Sequence, residues 1–503
     1  MNSMLLPRSI AALAVVVLIA VPSHGDVDSS RLTNFVKEGM ELWHVPGMSV
    51  AVVSSDKVHY QRSFGATAVT DGRPVDEHTL FAIASTTKAM VTLGILMLVD
   101  DEKLALDDPI IMHIPELHFH DPSLTQQLTL RDLLAHRTGL PSTDYWSFFQ
   151  GTPLEDQLPR LRTVSPAAPV RTRLIYQNTM FEVAGLLIER ISGRPWQDFL
   201  AQRLWNPIGM QETYAARGEI PEEASHVMPF YWTDDQLEVA EWDIPEDYAD
   251  AAGSVWSSIH DMSLWARFLL RGGVTADGER LVSEEGLDEM FKPHQLAAPG
   301  DFYPTTELTQ PNWRSYGLAW FQQDFQGRKI DFHTGSLSGL IAMIGLDRAS
   351  DNAVVILGNR DHAEMRHAVL WQVMDQTDPD RQRDWNRAVF DLYESRADDR
   401  ETKWQEILQK RLENTQTSLP ADFYAGNYQD TTFGEVRIET SGNQLIVKAG
   451  LVDFEMTHWH LDTFLVEYTP WEMREFATFR IGPDGLVESL DLFGFTFKPV
   501  INE

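Results

Sequence analysis

Ser85 and Lys88 stand three positions apart at the start of a stretch that reads as a buried helix, which puts a hydroxyl and an amine one turn apart on the same face. A lysine so placed can take the serine proton and turn a weak nucleophile into a strong one, provided its surroundings are dry enough to lower its pKa. Ser54 and Lys57 repeat the spacing, but in a polar turn between two strand-like runs, where nothing would desolvate the amine. Downstream of the first pair, Tyr176-Gln177-Asn178 directly precedes an amphipathic helix, and His333-Thr334-Gly335-Ser336 follows a strand-like stretch and opens into Leu337-Ser338-Gly339. A phenol beside Lys88 could relay a proton to a leaving group, an Asn amide could hold a substrate carbonyl, and a strand edge could line up an extended substrate. Each element alone is weak; their order, strand context and spacing together are specific.

The elements that must position these groups are legible from periodicity. Residues 48–53 and 58–64 flank the turn 54–57 as a hairpin, and 85–104 reads as a helix with Met90, Leu93, Leu96 and Met97 on its buried side. A short helix follows Thr129 as N-cap, with Asp132 completing a capping-box-like pair, and stops at Gly139-Leu140-Pro141. Residues 181–191 form another amphipathic helix, and Ser257 or Ser258 caps a further one. Strand texture returns at 316–322, 329–333, 340–346 and 353–357. Helices in the middle with strands at both ends predict an α+β fold in three layers, an antiparallel sheet flanked by helices plus an inserted helical region. A charged helical stretch comes next, and beyond Pro420 seven or eight short strands, with turns at Ser441-Gly442-Asn443 and Gly482-Pro483-Asp484-Gly485, predict a small antiparallel β-barrel. The organisation expected is a leader at 1–25, a catalytic domain at 26–375, a helical linker at 376–419 and a barrel domain at 420–503.

The 503 residues carry 41 Lys plus Arg against 74 Asp plus Glu, a formal charge of −33, and no cysteine. So acidic a chain is poorly suited to nucleic acid or to an anionic membrane surface. The lack of cysteine excludes disulfides, thiolate metal sites, a thiol nucleophile and a lipidated N-terminal cysteine. Residues 1–25 hold one basic side chain, Arg8, then an apolar run and a small-residue ending at Ser23-His24-Gly25, the layout of a cleavable secretory signal, so export to the periplasm or medium is expected. His118-Phe119-His120-Asp121 resembles a metal motif only briefly, and neither HExxH nor GxSxG is present, so neither metal nor organic cofactor is expected. His136 reads as structural, and Trp459 and Trp471 as core or barrel-mouth packing. Residues 234–250 contain eight acids and no Lys or Arg, a run expected to bias binding toward neutral or cationic substrates.

With these motifs in place, the sequence resembles the penicillin-recognising serine hydrolases: class C β-lactamases, D-alanyl-D-alanine carboxypeptidases, D-aminopeptidases and related esterases. The resemblance spans residues 32–358 and includes the run 128–141, Pro207-Ile208-Gly209-Met210 and Tyr316-Gly317-Leu318-Ala319-Trp320. It implies Ser85 as the acylated nucleophile, Lys88 and Tyr176 sharing the general-base and general-acid roles, Asn178, His333, Thr334 and Gly335 at the substrate, and an oxyanion hole from the backbone amides of Ser85 and Ser336. The barrel is similar to the lipocalin-like accessory domain of some relatives. In many relatives the third motif begins with Lys; here it begins with His333, whose imidazole is mostly neutral at pH 7 unless its surroundings raise it. The expected activity is that of an exported hydrolase acting on D-residue peptides or amides, a peptidoglycan stem peptide for example, or on small esters. Penicillin hydrolysis and a non-catalytic penicillin-recognising sensor or scaffold are the alternatives.

Overall fold

The computed structural model describes residues 28–500 except 71, 234, 241–244, 378–379, 443 and 469–472. The segment 1–25, Asn443, Trp471 and part of the acidic run 234–250 lie outside the described residues. Gly47–Val53, Leu340–Asp347 and Asn352–Gly358 are buried at every position, as strands covered on both faces must be. With Val58–Gly65, Arg328–Leu337, Phe321–Phe325, Arg314–Tyr316 and Gln295–Leu296 they form one eight-stranded antiparallel sheet. The N-terminal hairpin forms one edge and joins the rest by pairing Gly47–Val53 with Asn352–Gly358, Met48 lying opposite Gly358.

Side chains alternate between the faces. Val50, Val52, Ile341, Met343, Val354 and Ile356 pack with helices Ser29–Leu42 and Met365–Met374. Ala51, Val53, Ala342, Ile344, Val355 and Leu357 meet the layer containing helices Thr87–Asp100, Thr179–Ser192 and Ile259–Leu270. The domain is therefore the α+β, three-layer arrangement expected. Every residue of Thr87–Asp100 through Leu98 is buried, so this helix is a core element and carries Lys88 inside with it. The run 316–322, expected as one strand, is instead two strands around a turn, closed by the Gly317 N–H donating to the Trp320 carbonyl at 2.7 Å with Ala319 at φ 65°.

Thr129 and Asp132 form a reciprocal capping box on helix Leu130–Leu134. The buried Asp132 carboxylate also accepts from Arg137 Nε at 2.7 Å and from Arg171 at 2.7 and 2.9 Å. Burial opposes its charge, but Arg171, the Thr129 N–H and Arg137 outweigh that and hold the carboxyl below its usual range. Asp132→Ala should lower the unfolding free energy by about 3 kcal/mol at neutral pH, because two arginines lose their buried partner. Urea denaturation of wild type and variant side by side measures this. Since the folded value is depressed, the difference should shrink as pH falls through and below the carboxylate range.

The C-terminal part closes into an eight-stranded antiparallel barrel, Gly426–Asp430 pairing with Phe495–Pro499 to complete it. Tyr428, Val436, Val447, Phe454, Val466, Phe479 and Phe497 belong to its core. Between the domains runs one 24-residue helix, Trp385–Leu408. Trp385 and Val389 near its start are buried in the catalytic domain's core. Near its end Trp404 packs 5.7 Å from Trp459 and 6.1 Å from Phe476, so Trp459 meets the connecting helix and is not part of the barrel's core cluster.

Candidate active site

Ser85 lies in the tight turn Ala84–Thr86 that opens helix Thr87–Asp100. Ala84 holds φ 46°, a left-handed conformation unfavourable for a residue with a Cβ. The strand Arg328–Leu337 presses directly on this turn: a Cβ at Gly335 would sit 2.3 Å from the Ile83 carbonyl oxygen and 3.0 Å from the Ala84 side chain. Only glycine permits that approach, and it brings Ser336 opposite Ser85. The ladder to Phe321–Phe325 ends at Phe332 opposite Phe321, which leaves the stretch from His333 onward without a strand partner on that edge.

Lys88 is fully buried. Its ammonium donates to Ser85 Oγ at 3.1 Å, Asn178 Oδ1 at 2.7 Å and the Ala252 carbonyl at 2.6 Å, using all three donors. Burial lowers its pKa to about 8, with Asp250, Asp144 and Glu182 pulling in the opposite direction. Tyr176 lines the same cavity as Ser85, and burial drives its phenol well above the ordinary value, so it keeps its proton. Its ring centroid lies 5.0 Å from Lys88 Nζ, within cation–π range. A serine hydroxyl held between a desolvated amine and a protonated phenol can lose its proton to the first and receive help at the leaving group from the second.

Asn178 is held at both ends of its amide: Oδ1 accepts from Lys88, and Nδ2 donates to Asp144 Oδ2 at 3.0 Å. Asp144 is a residue that sequence reasoning missed, as are Asp250 and Glu182. Asp250 accepts from the Ala252 N–H at 2.6 Å, in the turn whose carbonyl binds Lys88. Glu182 is pushed up to about 8, by burial first and then by Asp250, and accepts from the Tyr248 hydroxyl at 2.6 Å. The acidic run 234–250 therefore ends inside the protein, at the lysine's surroundings, and its Glu246 pairs with Arg217 at 3.3 Å.

Ser85, Tyr176, Asn178, Thr334 and Ser336 line one cavity of about 580 Å³, with Phe148, Leu174, Ile175 and Phe321 as apolar wall. Arg173 at its edge forms a two-pronged pair with Asp301, at 2.6 and 3.1 Å. Thr334 is hydrogen-bonded to Tyr303. Ser336 Oγ accepts from Arg366 at 2.8 Å, and that guanidinium also binds the Gly335 carbonyl and Glu364. His333 is not among the lining residues. It is buried behind Tyr176, Nδ1–H donating to the Thr334 carbonyl at 2.6 Å and Nε2 accepting from the Tyr316 hydroxyl at 3.0 Å, the tautomer that satisfies both contacts. Burial, then Lys88, lowers it to about 3, so it is neutral at working pH.

His136 also stands close by, its Nδ1 accepting from the Gln177 N–H at 3.2 Å and its ring 4.2 Å from that of Tyr176. The other sequence motifs lie elsewhere: Ser54 bonds Asp56 in its turn, and Asp121 caps helix Pro122–Gln127.

Residues 32–378 match the family model described as Beta-lactamase. The chain belongs to the beta-lactamase family. Within that family it is a serine hydrolase, and residues 410–502 match a domain of unknown function (DUF3471). Among relatives, the unguisins hydrolase ungD' of Aspergillus campestris is 27% identical over 95% of this chain and 91% of its own length. Among solved structures, the octameric penicillin-binding protein homologue from Pyrococcus abyssi superposes with a TM-score of 0.62 at 20% identity, covering 93% of this chain and 99% of that one. SurE, solved with D-Leu, gives 0.54 at 17% identity over 94% and 99%. These two likenesses establish the beta-lactamase-family fold together with its C-terminal extension.

Proposed function

We propose that this protein is an exported hydrolase that acylates Ser85 and acts on amides of D-residues or on small esters whose reacting end carries no free carboxylate. The contact between Ser85 Oγ and a fully buried Lys88 carries the reading. Lys88 serves as the base toward Ser85, Tyr176 returns the proton to the leaving group, and Asn178 with the Thr334–Ser336 edge holds the substrate. The backbone amides of Ser85 and Ser336 receive the oxyanion. The choice among substrates rests on charge. His333 is neutral and turned to Tyr316, and Arg173, the cation among the lining residues, is taken by Asp301. Substrates that rely on a carboxylate, such as a C-terminal D-alanyl-D-alanine or a penicillin, find no free cation among the described lining residues. That one neighbour in fold was solved with D-Leu agrees with a D-residue substrate. The signal-like segment 1–25 supports export.

Intact-mass spectrometry after incubation with p-nitrophenyl acetate, a D-alanyl amide, a D-alanyl-D-alanine peptide and a penicillin tests the proposal. The expected result is an acyl adduct mapped to the peptide containing Ser85, with turnover of the ester and the amide exceeding that of the two carboxylates. Preferential turnover of penicillin would make the chain a β-lactamase. Adducts without turnover of any of the four would make it a sensor.

A further inference from the structure

The helix Tyr145–Phe148 and its flanks join the catalytic cleft to the barrel. On the cleft side, Asp144 holds Asn178 and Phe148 forms part of the cavity wall. The immediate chain neighbours of those two residues, Tyr145 and Phe149, sit one helical turn apart and share a face. Both enter the barrel's aromatic end. Tyr145 stacks on Phe433 with centroids 5.0 Å apart and planes 8° from parallel, and meets Phe495 edge-on at 5.1 Å. Phe149 lies 5.3 Å from Phe454 and 5.4 Å from Phe493. Backbone contacts lock the register: the Leu451 N–H donates to the Phe149 carbonyl at 2.6 Å, and the Trp146 indole N–H to the Thr432 carbonyl at 2.9 Å. The fit is close enough that a Cβ on Gly450 would lie 2.6 Å from Gln150 Cα.

We propose that the barrel is a positioning element for the cleft: by gripping Tyr145 and Phe149 it sets Asp144 against Asn178 and fixes Phe148 in the substrate wall. The inference rests on the reading of the Ser85 cavity as the active site. Tyr145, Phe149, Phe433 and Gly450 are positioning residues that act through Asp144 and Phe148 without touching substrate. Aromatic contacts on the two sides of a short helix, one set against the barrel and the other in the cavity wall, transmit any shift of the barrel to the wall. A displacement of about 1 Å at such a wall is enough to cost tenfold or more in rate.

The test uses the full-length protein and two alanine substitutions of equal backbone strain. Gly450 and Gly485 have φ of 84° and 78°, but only Gly450 faces the catalytic domain, whereas nothing lies within 4 Å of a Cβ at Gly485. Gly450→Ala should lower kcat/KM for p-nitrophenyl esters about tenfold and change the ratio of octanoate to acetate turnover, since Phe148 lines the acyl or leaving-group path. Gly485→Ala should leave both at wild-type values. From the other side of the contact, Tyr145→Ala should behave like Gly450→Ala, and Tyr145→Phe, which keeps the ring, should restore wild-type kinetics. Equal kinetics for Gly450→Ala and Gly485→Ala, with the same chain-length ratio, would overturn the inference, as would a Tyr145→Ala enzyme of wild-type kinetics if Gly450→Ala does not fold. Mapping of the wild-type acyl adduct away from Ser85 would instead overturn the reading of the active site, a result separate from either comparison.

Discussion

Ser85→Ala should abolish the acyl adduct and lower kcat by about 10⁶-fold, the scale seen when a hydrolase loses its nucleophile. The size follows from the geometry. Ser85 Oγ is the atom on which Lys88 and Tyr176 converge, and with it gone both groups face a methyl that can neither accept nor release a proton. What survives is the catalysis that binding and oxyanion stabilisation supply to a bare water, typically 10³- to 10⁴-fold over the uncatalysed reaction. The variant should remain folded, since Ser85 lies on the cavity surface and its alanine leaves the strand contact at Gly335 untouched. Circular dichroism checks the fold, and intact mass with p-nitrophenyl acetate checks the adduct. An adduct of undiminished yield on the variant removes Ser85 from the mechanism.

Lys88→Met should lower kcat/KM by about 10²- to 10⁴-fold, the usual contribution of a positioned base, and should also change the shape of its pH profile. In the wild type burial brings Lys88 to about 8, so at pH 6 nearly all the amine is protonated and unable to accept the serine proton. The reactive fraction rises with pH through about 8 and then levels, and kcat/KM should follow it. The groups facing this amine are Asp250, Asp144 and Glu182, which raise its pKa, and the neutral His136, His333 and Tyr176 around them. Methionine fills the same slot without a titrating atom, so the rising limb should vanish along with the rate. A Lys88→Met enzyme that keeps a limb near pH 8 would assign the base to another group. Glu182, itself pushed up to about 8, is the group to exchange for Gln next.

The two extremes of this site differ in how far they could be read from the chain. Ser85 and Lys88 are one helical turn apart, and a helix imposes its spacing whatever surrounds it. The burial of Lys88, too, is announced by the apolar run that follows. The capping box of Thr129 and Asp132 and the sheet built from both ends of the chain are local or periodic signals of the same kind. Asp144, Asp250 and Glu182 sit on three separate segments, and each alone looks like an ordinary surface acid; only the packing of helix Thr179–Ser192 against the turn at Ala252, with Asp144 joined through Asn178, brings them around the lysine. His333 shows the same limit from the other side. Its place in the strand was legible, but the hydroxyl that claims its Nε2 belongs to Tyr316, on a strand that is not its direct neighbour in the sheet. Charge counting predicts from the run 234–250 a field that biases binding toward neutral or cationic substrates, but not that its last acid, Asp250, is buried and accepts from a backbone amide.

Met48 lies opposite Gly358 in the central sheet, a separation of roughly 300 residues, and such long-range pairing is slow to form. Until the last of these strands has been made, the hairpin Gly47–Val53 and Val58–Gly65 has no neighbour on its inner edge, and the helical region has no sheet to close against. The catalytic domain therefore cannot finish folding until the strand Asn352–Gly358 has been made.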